Sequence, residues 1–155
     1  MAAFDYRQAT DIRDVLARHG VRYLFIGKSG AILLGFPDTT QDADLFVEKS
    51  PDNGRALADA LAELGFALTV DQRRDLKTGK DFIQLKNGPF DVDVIYADGI
   101  EGFANAWRRR QDIEGFPVCD IDDIIASKQA AGRVRDRESL PRLLAFRDWL
   151  RGRRS

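Results

Sequence analysis

Apolar residues along the chain come in short blocks, and the spacing inside each block names an element. Residues 10–19 carry Ile12, Val15 and Leu16 at helical spacing, with Thr10 placed to cap the start and Gly20 to end it. VRYLFI (21–26) is a continuous run of β-formers, the pattern of a buried strand. GKSG (27–30) breaks that run, AILLGF (31–36) reads as a short buried helix, and PDTTQ (37–41) reads as a polar loop. DADLFVE (42–48) predicts a second strand. Pro51 opens a helix to about Leu64, with Leu57, Ala58, Leu61 and Leu64 on one face and Gly65 at its close.

FALTV (66–70) reads as a further strand and DQRRDLKTGK (71–80) as a polar connection. DFIQLK (81–86) and FDVDVIYA (90–97) flank an Asn-Gly-Pro turn, which predicts a hairpin. GIEGFANAWRRR (99–110) predicts a helix, and residues 115–119 one more short strand. CDIDDIIASKQAAG (119–132) is a helical segment with Asp120 as N-cap and Gly132 at its end. SLPRLLAFRDWLRG (139–152) predicts a last helix, with Pro141 in its first turn. A β-α-β opening followed by antiparallel strands implies an α/β (α+β) fold, a mixed central sheet with flanking helices. The core would span about residues 10–118 and a C-terminal helical part about 119–155, all expected to form one domain at 155 residues.

Composition changes this picture mainly by exclusion. One cysteine, Cys119, rules out an internal disulfide and a Cys-based zinc site, and predicts a buried apolar residue instead. One histidine, His19, rules out a His-rich metal centre; its place at the end of the first helix suits the helix dipole better than catalysis. Chemistry is left to carboxylates, Lys, Arg, hydroxyls or an added metal. No stretch approaches the roughly 20 apolar residues of a membrane helix, and the start of the chain does not read as a signal peptide, so the expectation is a cytoplasmic protein with no membrane partner. The net charge of −1 hides an asymmetry: from Arg133 onward eight Arg face only Asp136, Glu138 and Asp148. Arg147 to Arg154 read as solvation of a helix, while Arg133, five residues after Lys128, stands closer to the candidate chemistry.

That chemistry centres on Asp42-Ala43-Asp44 and Asp91-Val92-Asp93. In a strand, residues i and i+2 share a face, so each pair projects together while its neighbours pack on the other side. Paired carboxylates repel unless a cation or a proton neutralises one of them. Hard oxygen donors at this spacing suit Mg²⁺ or Mn²⁺. Set side by side in one sheet, the two strands would gather three or four acids, as a two-metal phosphoryl-transfer centre requires. Taken singly, either pair reads first as a solvated strand face.

Gly27-Lys28-Ser29-Gly30 lies between a strand and a short helix, where free backbone N–H groups can meet an anion. Lys28 adds a charge and Ser29 a hydroxyl. The string is not a P-loop, because the glycine required five residues before the Gly-Lys pair is here Arg22.

Together, YLFIGKSGAILLGFPDTTQDADLFVE resembles the signature of the DNA polymerase β-like nucleotidyltransferase superfamily: a glycine turn, a short helix, then D-x-D on the next strand. The stretch is similar to small bacterial minimal nucleotidyltransferase and AbiEii-type toxin proteins. FDVDVIYADGIEGFANAW resembles the strand bearing the third carboxylate, and IDDIIASKQAAGRVRD the later helix in which a Lys, an Arg and an Asp recur, here Lys128, Arg133 and Asp136. The resemblance covers roughly residues 20–145. It implies a polymerase-β-like core in which Asp42, Asp44 and Asp93 are catalytic and hold divalent metal, with Asp91 as the alternate third ligand. It further implies that Gly27, Lys28, Ser29, Lys128 and Arg133 bind the nucleotide. The implied reaction moves a nucleoside monophosphate from an NTP to a hydroxyl of a tRNA, a protein or a small molecule, with Mg²⁺ or Mn²⁺ as cofactor, and a toxin–antitoxin role follows from the AbiEii likeness.

Two positions depart from the family pattern. Lys28 stands where Gly or Ser follows the first glycine, and Asp38 stands where many relatives carry a base. Both motivate an alternative, a catalytically inactive module that binds a nucleotide or a partner. A third reading, the D-x-D of a sugar-nucleotide glycosyltransferase, is disfavoured by the short chain and the order of strand and turn.

Overall fold

The computed structural model describes residues 5–96, 102–132 and 134–154. Its elements run α1 (Tyr6–Arg18), β1 (Tyr23–Phe25), α2 (Gly27–Leu33), β2 (Asp42–Val47), α3 (Pro51–Leu64), α4 (Val70–Thr78), β3 (Phe82–Leu85), β4 (Asp91–Ile95), α5 (Phe103–Arg109), β5 (Gln111–Ile113), β6 (Phe116–Val118), α6 (Ile121–Ala131) and α7 (Val134–Arg154). The strands form one mixed sheet in the order β3-β4-β2-β1-β6-β5. β1 pairs antiparallel with β2 and parallel with β6, while β2 and β4 run parallel. The expected mixed sheet with flanking helices is the fold observed.

Strand alternation divides the side chains between two layers. Tyr23, Phe25, Ala43, Leu45, Val47, Val92 and Val94 face one apolar core, which is completed by α1 and α3 and by Leu76 of α4. Leu24, Ile26 and Phe46 face the second, shared with Ala31 of α2, Phe103 of α5, Ile124 of α6 and Phe146 of α7. The carboxylates of β2 alternate with Ala43 and Leu45 and therefore point into this second layer.

Several boundaries differ from the sequence reading. Asp5, not Thr10, caps α1, through a capping box with Gln8. His19 sits at the end of that helix as expected, with Nε2 2.9 Å from Glu63 Oε1 of α3. The stretch 66–70 is not a strand: Thr69 and Gln72 form a capping box that starts α4 across the supposed polar connection. Val70 is 83% exposed, so its β-branched side chain has no core to enter. Phe66 packs edge-on against Phe90 instead, with ring centroids 5.4 Å apart. α4 has no visible apolar stripe, because Leu76 is its one buried residue. β5 is a three-residue strand joined to β6 through Glu114 and Gly115, both at positive φ. α7 starts before Ser139 and carries Pro141 inside it, while α6 keeps the expected caps, Asp120 and Gly132. The helix expected over 99–110 runs from Phe103 after Gly102 as N-cap; residues 99–101 lie outside the described ones.

Candidate functional site

The parallel pairing of β2 and β4 sets Asp42 beside Asp91 and Asp44 beside Asp93. The two D-x-D segments thus lie in register on adjacent strands. Asp42, Asp44 and Asp93 line a cavity of about 400 Å³, together with Gly27 and Lys28 of α2 and Lys128 of α6. Asp91 is buried and is not among the lining residues. Arg133 lies outside the described residues.

Gly27 begins α2 with φ +62°, a backbone region open to glycine at little cost. Absence of a side chain matters as much, because a Cβ at this position would collide with the Asp44 carboxylate. The turn therefore lies directly against the acid. Ser29 fastens it there: its hydroxyl donates to the Ile26 carbonyl at 3.1 Å and accepts the Asp44 backbone N–H at 3.0 Å. Ser29 is buried and does not line the cavity. The hydroxyl expected to meet a nucleotide instead ties α2 to β2, because a buried Asp44 N–H needs an acceptor and Ser29 is the one in reach.

Charge is unevenly distributed around the cavity. Burial first, then the Asp93 carboxylate and to a smaller degree Asp42, push the Asp44 carboxyl up to about 8, while Lys128 pulls in the opposite direction. A hydrogen bond between the Asp44 and Asp93 carboxyl groups also favours a shared proton. Lys128 Nζ lies 3.2 Å from Asp136 Oδ1, and Asp136 is 1% exposed. Lys28 Nζ lies 3.4 Å from Asp38 Oδ2 on the loop before β2. Carboxylates and two ammonium groups lining one cavity make a site suited to a phosphate-bearing ligand accompanied by a cation.

The donor set fits a divalent metal by its chemistry. It consists of carboxylate oxygens only, the hard donors that Mg²⁺ and Mn²⁺ prefer. Burial first, and repulsion from Asp93 and Asp42 after it, raise Asp44, and a cation would oppose both by favouring the ionised carboxylate. Among the described residues, no group of three or more His, Cys, Asp or Glu side chains is placed to hold a metal by itself. Mg²⁺ typically takes one or two carboxylates and completes its shell with water and substrate phosphates. Asp44 and Asp93 fit that mode.

Sequence reasoning missed Asp81, Phe82, Ser127 and Ser139, which also line the cavity. Asp81 and Phe82 belong to the hairpin arm paired with β4, so the alternation of 81–86 carried the signal. The basic stretches around Trp107 and in α7 are largely engaged. Arg109 grips Asp123 with two bonds of 2.9 Å, Arg110 stacks over Trp107, and Arg147 and Arg151 reach Asp122.

No family model matches the chain, and no curated protein matches it. A crystal structure from Thermotoga maritima, described as a "putative nucleotidyltransferase", is similar in fold with a TM-score of 0.57 and 19% sequence identity. The match covers 91% of this chain and 92% of that one. The sheet and its helices thus have a solved counterpart over nearly the whole length, and at this identity the likeness concerns the fold. Among the described residues, no helix is long and apolar enough to cross a membrane.

Proposed function

We propose that the chain is a divalent-metal-dependent nucleotidyltransferase, moving a nucleoside monophosphate from an NTP to a hydroxyl acceptor. The observation that carries this reading is the in-register placement of Asp44 beside Asp93 in a cavity that also holds Lys28 and Lys128. The fold shared with the Thermotoga maritima structure adds support.

In this reading Asp44 and Asp93, together with Asp42, would hold Mg²⁺ or Mn²⁺, which would supply Lewis-acid neutralisation of phosphate charge. Lys128, fixed by buried Asp136, holds a phosphate oxygen of the bound NTP. Gly27 keeps the backbone turn low enough for the phosphates to approach Asp44. The acceptor hydroxyl attacks the α-phosphorus and its proton passes to the Asp93 carboxylate. The bond from the α-phosphorus to the bridging oxygen breaks, and pyrophosphate leaves with that electron pair. A tRNA, a protein or a small molecule can supply the hydroxyl, and a toxin–antitoxin role is a narrower form of the same proposal.

The test is transfer of label from α-labelled NTPs, with Mg²⁺, to pools of tRNA, protein and small hydroxyl compounds. Label transfer that Asp44→Asn abolishes is the expected result. The absence of both label transfer and calorimetric Mg-NTP binding would sink the proposal. One observation favours the second reading, a non-catalytic module: no three-carboxylate group is preassembled among the described residues. Mg-NTP binding without turnover on any acceptor pool would favour that module.

A further inference from the structure

The two lysines at the cavity are held in different ways. Lys128 pairs with a buried acid, Asp136. Lys28 pairs with Asp38, whose side chain is 22% exposed, at a distance beyond an ordinary hydrogen bond. The same Asp38 oxygen, Oδ2, also takes Arg142 Nη1 at 3.0 Å. Asp38 Oδ1 accepts the Thr39 N–H at 2.7 Å. Arg142 in turn donates from Nη2 to the Pro37 carbonyl at 3.1 Å and lies 5.0 Å over the Phe36 ring. Asp38 and Arg142 are therefore fixed to each other and to residues 36–39 without any help from Lys28.

We propose that Asp38 and Arg142 act as a release device for Lys28: Arg142 keeps Asp38 neutralised, so the Lys28 ammonium can leave it for a phosphate oxygen entering the cavity. The proposal rests on the nucleotidyltransferase reading for the identity of that phosphate, a polyphosphate chain. Two cations that share one carboxylate oxygen repel each other, and each is bound less tightly than it would be alone. Lys28 is the one with a free path, since it already lines the cavity and rides on a flexible four-carbon stem. When it moves, Asp38 is left with Arg142 and the Thr39 N–H, so no carboxylate is stranded. Hence the two departures from the family pattern, Lys28 and Asp38, are coupled: the acid near the phosphate site is masked by the bases on either side. Asp38 and Arg142 are positioning residues, and neither needs to touch the ligand.

The device makes a sign prediction that simple charge counting does not. Arg142→Gln should weaken polyphosphate binding by leaving Asp38 to Lys28 alone, by about fivefold or less for a partly exposed pair. Asp38→Asn keeps the acceptor for Thr39 and frees Lys28, so it should tighten binding by a similar factor. In the double variant Arg142→Gln should have no further effect. Arg142→Lys, which keeps the charge, should restore binding. Lys28→Gln should weaken binding by about tenfold or more, as loss of a charge-assisted contact does.

The experiment is calorimetric titration of the full chain with magnesium pyrophosphate and with Mg-NTP at low salt. Circular dichroism of each variant checks that the fold is kept. If Arg142→Gln weakens binding equally in the presence and absence of Asp38, Arg142 acts as a general positive charge and the device is overturned. If Mg-NTP binds the wild type and all variants alike, the device is overturned while the nucleotidyltransferase reading stands. If the wild type binds neither probe, both fail.

Discussion

The same two strands build both layers of this protein, and the two layers are opposites. On one side of β2 and β4, Ala43, Leu45, Val92 and Val94 are fully buried in an apolar core under α1, α3 and α4. On the other side, one residue along, Asp42, Asp44 and Asp93 converge on a cavity lined by two lysines. Strand alternation lets one segment do both jobs: the apolar side provides folding energy, and the carboxylate side gives some of it up for a crowded charge arrangement. The sharpest test of the contrast is whether the two sides can be damaged separately.

The largest expected effect is on turnover. Asp44→Asn keeps the side-chain shape and removes a ligand oxygen from the proposed metal site. Turnover should fall by about a thousandfold or more, on the scale seen when a group aimed at transition-state charge is lost. Stability should be unchanged or higher, because the substitution also relieves repulsion from Asp93 and Asp42. A large drop in the denaturation midpoint alongside lost turnover would mean that the acid is structural and that the two sides are not separable.

Leu45→Ala, the next residue, should do the reverse. Leu45 is 0% exposed, and truncating such a leucine costs about 2–5 kcal/mol through lost burial and the cavity left behind. Urea denaturation measures this directly, and the surviving folded fraction should keep its KM for NTP. Next comes metal. If Asp44 and Asp93 hold Mg²⁺, saturating the wild type at about 100 times its Kd should stabilise it by about 2.7 kcal/mol. Asp44→Asn and Asp93→Asn should lose most of that gain. An equal rise in Tm for wild type and both variants would place the ion elsewhere.

How far this contrast could be read from the sequence depended on the length scale of the pattern. The alternation in 42–48 and 90–97 placed each side chain on its face before any coordinates, because strand periodicity is local. The register that sets Asp44 beside Asp93 is a long-range fact, and spacing within either strand does not contain it. α4 illustrates the opposite case: its signal is local, a Thr69-to-Gln72 capping box, but with Leu76 as its one buried residue no apolar stripe follows the cap. The resemblance offers Asp136 as an ion-pair partner of Arg133, which lies outside the described residues; the 3.2 Å pairing of Asp136 with Lys128 depends on the α6–α7 packing, which no local pattern contains. Lys28 and Asp38 looked like two independent defects in sequence, and only the loop geometry joins them.

Gly27→Ala sharpens the comparison at the point where backbone meets acid. The residue has φ +62°, and an added methyl would collide with Asp44. Strain of this kind costs about 1–3 kcal/mol. Here the loss should appear in both readouts, because relieving the collision moves the carboxylate as well. Loss of stability with kcat intact would show that Asp44 can shift without consequence.

The smallest effect should come from Ser29→Ala, and it is the most informative about the turn. From sequence, the hydroxyl is a candidate nucleotide contact. In the structure it is buried, donates to the Ile26 carbonyl and accepts the Asp44 N–H. Removing it leaves a strand N–H without its acceptor, at a cost of about 1–3 kcal/mol. Because the carboxylate hangs from that same residue, kcat should fall modestly as Asp44 loosens. KM for NTP should stay put, since Ser29 does not line the cavity and its hydroxyl is engaged by Ile26 and Asp44. The opposite split, a raised KM with stability and kcat preserved, would return Ser29 to the nucleotide and remove the clamp from the account of how Asp44 is held.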